Sequence, residues 1–158
     1  MERILADRRD EITHRGSYRV GQMRVGGVPL DEVFSPRGVA VVGASGAEKL
    51  SFAELVVRAL EEAEFPAIYP VNPKYREVLG LPCYPSITAI PGVVDHVVVN
   101  IPAESVLKLL DECAEKGVRS VHFFTAGFGE SGYQERADLE KEMLVKARAG
   151  GFRIIVPN

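Results

Sequence analysis

Tryptophan is absent, cysteine nearly so, and neither sign of charge dominates this chain of 158 residues. The two cysteines, Cys83 and Cys113, stand thirty residues apart, and neither belongs to a C-x-x-C pair. That spacing excludes a disulfide framework and a zinc site, and it suits the reduced thiols of a cytoplasmic protein. Nineteen basic against twenty-two acidic residues leave a formal charge of −3. A nucleic-acid footprint would need a basic excess or stripe, so no nucleic-acid partner is expected. No apolar run approaches roughly eighteen residues, the length that would suggest a membrane span. Charges throughout the first thirty positions also argue against a secretory signal. Carboxylate pairs, nucleophile–base pairs and metal-ligand spacings are missing too. What the chain does have is an ordinary globular composition, 46% hydrophobic and 26% charged. That excludes intrinsic disorder and a coiled coil, and the length suits one domain.

Residues 1–33 differ from the rest. Met1 to His14 is densely charged, and Ser17 to Val25 alternates apolar and polar residues, as an N-terminal arm or a small hairpin would. From Ser35 onward the pattern is regular. Val39–Val42 is a short apolar run of the kind buried on both faces of a sheet. A helix opens near Ser51, which stands in capping-box spacing with Glu54. Phe52, Leu55, Val56, Ala59, Leu60 and Ala63 then repeat at helical spacing, which predicts that this stripe is buried. Further strands are expected at Ala67–Val71, Asp95–Val99, Ser120–Phe124 and Phe152–Val156. Pro102 opens a helix with Val106, Leu107, Leu110 and Cys113 inward and Gly117 at its end. A last helix runs from about Gln134 to Ala149, with Leu139, Met143 and Ala147 inward. Pro73, Pro82, Pro85 and Pro91 leave room only for a turn, at Ser86 to Ile90, between the second and third strands. Strands alternating with helices predict an α/β fold: a single Rossmann-like, doubly wound domain with a mainly parallel five-stranded sheet.

In such a sheet, ligands bind beyond the carboxyl ends of the strands. After the first strand, Gly43-Ala44-Ser45-Gly46 leads into a helix N-terminus, where free amides favour a phosphate, although the glycines also serve a tight turn. A G-x-G-x-x-G fingerprint is absent, and the second strand ends in Asn72-Pro73-Lys74, with no ribose-binding acid. A lysine there suits an extra phosphate. The residues alone therefore leave an NADP-type redox or sensor module and a coenzyme A binder both open. After the third strand, Ile101 and Pro102 form an apolar helix start. After the fourth comes Thr125-Ala126-Gly127-Phe128-Gly129-Glu130, where glycines let a ligand or a backbone approach. His14, His96 and His122 do not assemble a site.

Taken in order, these segments resemble a known family. Ser35-Pro36-Arg37-Gly38-Val39-Ala40-Val41-Val42-Gly43-Ala44-Ser45 is similar to the opening of the CoA-binding domain of NDP-forming (ADP-forming) acyl-CoA synthetases, relatives of the succinyl-CoA synthetase α subunit. Tyr69 to Lys74, Leu79 to Ser86, Ile90-Pro91, Thr125 to Glu130 and Val156-Pro157-Asn158 continue the likeness, which covers residues 34–158. The resemblance implies a reaction in which an acid, CoA and a nucleoside triphosphate give acyl-CoA, the diphosphate and phosphate, by way of an acyl phosphate and a phosphohistidine. It implies that Gly43, Ala44, Ser45 and Gly46, with Ser51 at the helix start, cradle a CoA phosphate. It has Asn72, Pro73 and Lys74 close over the nucleotide end, and Ile101 and Pro102 line the pantetheine. Thr125, Ala126 and Gly127 would face the thiol. The family's phosphohistidine and ATP-grasp parts have no counterpart in these residues, so they are expected as partner domains or subunits in cis or trans. A homodimer, a regulatory CoA-binding module and the acyl substrate all stay open. The chain is expected to bind CoA without catalysing alone.

Overall fold

A computed structural model describes residues 28–45, 51–124 and 134–156. In chain order the elements are α1 (Leu30–Val33), β1 (Val39–Val42), α2 (Phe52–Glu62), β2 (Ile68–Val71), β3 (Glu77–Val78), β4 (Leu81–Pro82), β5 (His96–Val99), α3 (Val106–Lys116), β6 (Ser120–Phe123), α4 (Gln134–Gly150) and β7 (Arg153–Ile155). The five main strands fall within one residue of their expected bounds. All four residues of β1 are buried, as a central strand requires. The sheet order is β2-β1-β5-β6-β7, and every neighbouring pair is parallel. This is the expected α/β Rossmann-like sheet. The alternation along β1 divides the core. Val39 and Val41 join Val57 of α2, while Ala40 and Val42 face the layer that holds Leu110 of α3 and Met143 of α4.

Three details differ from the sequence pattern. The buried face of α2 is Ala53, Glu54 and Val57, with Val56 and Leu60 partly covered, whereas Phe52 and Leu55 are exposed. The cause is the cap. Ser51 Oγ accepts from Glu54 N at 3.3 Å, and the Glu54 carboxylate accepts from Ser51 N and from Ser45 Oγ, both at 2.9 Å. Turning Glu54 inward rotates the apolar stripe partly into solvent. In α3, Leu109 is buried where Leu107 was expected, and Leu107 only packs against the core from its rim. Between β2 and β5 a hairpin stands where only a turn was expected: β3 and β4 pair antiparallel around Leu79 and Gly80. Both of those residues have positive φ, 54° and 81°, as a tight two-residue hairpin turn demands. Leu79 packs on the core, which holds it in a conformation its side chain disfavours.

The opposite end of the sheet hangs on Asp95, only 2% exposed. Its carboxylate accepts from Arg37 N at 2.9 Å, Nε at 2.8 Å and Nη2 at 2.9 Å, and Arg119 Nε lies 3.3 Å away. Its own N–H donates to Gly38 O, and its carbonyl accepts from Arg119 N and Ser120 N. The starts of β1, β5 and β6 are thereby tied to one residue. The Arg37 bonds hold the Asp95 pKa down at about 2. Asp95→Asn should lower stability at pH 7 by roughly 2–3 kcal/mol, measured by urea unfolding. A depressed carboxylate stabilises fully above its unfolded pKa near 3.8, and that contribution is lost as pH falls towards 2. The asparagine variant should lack this acid-side loss.

Candidate functional site

β1 stops at Val42 because Gly43 turns the chain at φ +94°. Gly43 N still donates to Val71 O, and Asn100 N donates to Val42 O, both at 3.0 Å. The backbones are so close that a Cβ on Gly43 would lie 2.2 Å from Asn100 O. Only glycine satisfies both the sign of φ and the contact. The ends of β1, β2 and β5 therefore meet at one point.

Around that point lie most of the described candidates. Asn72 Nδ2 donates to Ala44 O at 2.8 Å, and Asn72 Oδ1 accepts from Lys74 N at 3.0 Å. One amide thus fastens the loop after β1 to the loop after β2. Ser45 is held by Glu54, and Glu54 by Ser51, so the first turn of α2 is fixed against the same loop. A helix start leaves amides without intrahelical partners, and these suit an anion. Pro73 and Lys74 are exposed beside it, and the Lys74 ammonium makes no ion pair among the described residues. Ile101 Cγ2 would lie 3.2 Å from that Gly43 Cβ, so Ile101 borders the turn. Pro102 is exposed, just before the 3-10 turn Ala103–Ser105. Gly46, Thr125, Ala126 and Gly127 lie outside the described residues, as do the hairpin expected at 17–25 and His14.

Glu54 and Asn100 belong to this site although sequence reasoning did not include them. Capping-box spacing signalled the Glu54–Ser51 pair, but its bond to Ser45 comes from tertiary structure. Cys83 also borders the site, its Sγ 3.7 Å from Asn72 O, and burial pushes its thiol pKa up. Cys113 is buried and pushed further, to about 12.

An aromatic file leads away from the site. Phe52 and Phe124 rings lie 4.5 Å apart, Phe124 and His122 4.2 Å, and His122 and His96 6.2 Å. His96 Nδ1 pairs with Ser120 Oγ at 2.7 Å. Burial, with the neighbouring His122, takes the His96 pKa down to about 4. Both histidines line a hollow of about 1160 Å³ on the α2 side of the sheet, together with Val39, Val98 and Ile155. None of the described candidate ligand residues lines that hollow.

The family model described as "CoA binding domain" matches residues 37–158. The alpha subunit of ADP-forming acetate–CoA ligase II from Pyrococcus furiosus is 44% identical over 129 residues, covering 82% of this chain and 28% of that one. The solved structure of the dinucleotide forming acetyl-coenzyme A synthetase 1 of Ca. Korarchaeum cryptofilum, in complex with phosphate and ADP, is similar with a TM-score of 0.74 at 36% identity. The likeness covers 82% of this chain and 27% of that one. A hypothetical protein from Pyrococcus horikoshii OT3 is similar with a TM-score of 0.66 at 27% identity, covering 85% of this chain and 88% of that one. The chain thus spans little more than a quarter of the two named enzymes.

Gly43 and Gly80 offer a matched pair for testing the turn. Both have positive φ, but a Cβ on Gly80 would meet nothing within 4 Å. Gly80→Ala should cost roughly 1–2 kcal/mol, the strain alone. Gly43→Ala adds the clash and should cost more than about 3 kcal/mol or prevent folding. Thermal unfolding of the two variants side by side measures the difference.

Proposed function

The chain belongs to the CoA-binding domain family, matching a part of ADP-forming acyl-CoA synthetases, and from that premise we propose that it binds coenzyme A across the carboxyl ends of β1, β2, β5 and β6. Gly43, Ala44, Ser45 and Gly46, with Ser51, hold a phosphate. Asn72, Pro73 and Lys74 cover the nucleotide end, Ile101 and Pro102 line the arm, and Thr125, Ala126 and Gly127 receive the thiol. The observation that carries this is the Asn72 amide, which fixes Ala44 O at 2.8 Å and Lys74 N at 3.0 Å. It makes the phosphate loop and the lysine that follows β2 into a single surface. An NADP-type ligand would use the same lysine, and the titration below separates the two.

The CoA-binding module is residues 34–158, preceded in sequence by the N-terminal arm 1–33. In the whole enzyme, the CoA thiol attacks an acyl phosphate. The carbon–sulfur bond forms as the carbon–oxygen bond to phosphate breaks, giving acyl-CoA and inorganic phosphate. The phosphoryl group of that acyl phosphate comes from the nucleoside triphosphate by way of a histidine, and the nucleoside diphosphate is left behind. The histidine and the nucleotide site belong to partner domains or subunits, in cis or trans. The setting is cytoplasmic; among the described residues no helix is long and apolar enough to cross a membrane. Here His96 is half-buried and bonded to Ser120, which suits structure and not phosphate transfer.

Calorimetric titration with CoA, NADPH and NADH tests the ligand. CoA should bind best, and a preference for NADPH would overturn the proposal. Lys74→Ala should weaken CoA by about 1.5–3 kcal/mol, the scale of a charge-assisted bond, with the fold intact. Incubation of the chain with radiolabelled ATP and magnesium should leave no phosphate on His14, His96 or His122. Acid-labile label on any of them would refute the division of labour.

A further inference from the structure

We propose that Phe52 and Phe124 form an apolar bed for the pantetheine arm of the ligand, an assignment that rests on the CoA binding proposed above. The two rings are 40% and 38% exposed, stacked at 4.5 Å with their planes 40° apart. Neither belongs to the two buried clusters that hold the sheet. Two stacked phenylalanines facing water forgo burial worth more to the fold than to the solvent, and such a patch marks a place for something apolar.

Their positions say what that is. Phe52 is the first residue of α2, directly after Ser51 and beside the loop that begins at Gly43. Phe124 directly follows β6, and its N–H donates to Val99 O at the end of β5. The pair therefore bridges from the start of α2 to the end of β6, passing the end of β5, which lies between β1 and β6. With the phosphates held beside Gly43 to Ser45 and Ser51, and the arm running on past the end of β6 as proposed above, the part of CoA that follows the phosphates crosses this bridge. That part is the pantetheine, which carries a gem-dimethyl carbon and methylenes and no charge. Adenosine and its 3′-phosphate, by contrast, belong on the Lys74 side. His122 stacks on Phe124 at 4.2 Å, and burial lowers its pKa, so a neutral ring backs the bed at pH 7.

The test compares CoA with adenosine 3′,5′-bisphosphate, which lacks the arm. In the wild-type chain, CoA should shift the His122 ring proton resonances, and saturating bisphosphate should leave them in place. Phe52→Ser and Phe124→Ser should weaken CoA about tenfold and leave the bisphosphate unchanged, whereas Phe52→Leu should stay close to wild type. Thermal unfolding checks each variant, and the wild-type resonance comparison stands even where a variant fails to fold. An equal His122 shift with the bisphosphate would place adenine on the rings and overturn the assignment. So would CoA affinity unchanged by both serine variants. If the wild-type chain binds no CoA, both proposals fall; if it binds CoA and the rings prove indifferent, the aromatic bed alone is refuted.

Discussion

One buried carboxylate sets the level from which three strands start. Asp95 accepts from Arg37 through backbone and guanidinium together, bonds Gly38 through its amide, and takes Arg119 and Ser120 on its carbonyl. The strands β1, β5 and β6 that leave this point are each four residues long. Equal lengths from a common start bring their far ends to a common height. The loops that follow can then share one ligand, because no strand overshoots its neighbours.

At the far end the geometry is finished by contacts of a different kind. Gly43 admits Asn100 O where a methyl group would not fit, Asn72 joins two loops, and Glu54 ties Ser45 to the cap of α2. These are positioning contacts between neutral groups or around a single carboxylate. Each binds and orients; none supplies a base poised to take a proton. The arrangement suits holding a ligand still in one orientation.

Much of this was legible in the sequence. The run Val39–Val42 announced a strand buried on both faces, and the segments that follow the strands supplied the ligand candidates. Ser51 and Glu54 gave the start of α2, and Gly117 the end of α3, at φ +75°. What could not be read was tertiary. Helical spacing gives the width of an apolar stripe but not its rotation, and Glu54 turned that stripe by binding Ser45 nine positions back. The hairpin at Leu79-Gly80 lacked the usual Asn-Gly signal, because core packing and not local preference holds Leu79 at positive φ. Asp95 was placed only as the first residue of a strand, since its partner Arg37 lies 58 positions away.

The two thiols differ in reach as much as in setting. Cys113 is sealed in the core with its pKa near 12, whereas Cys83 is only partly buried and touches the carbonyl of Asn72. An alkylating reagent therefore meets Cys83 long before it meets Cys113. Anything that tightens the Asn72 loop shields that sulfur, and anything that loosens the loop bares it. The protein carries a native chemical gauge of its Asn72 loop, read as the rate at which a single atom reacts.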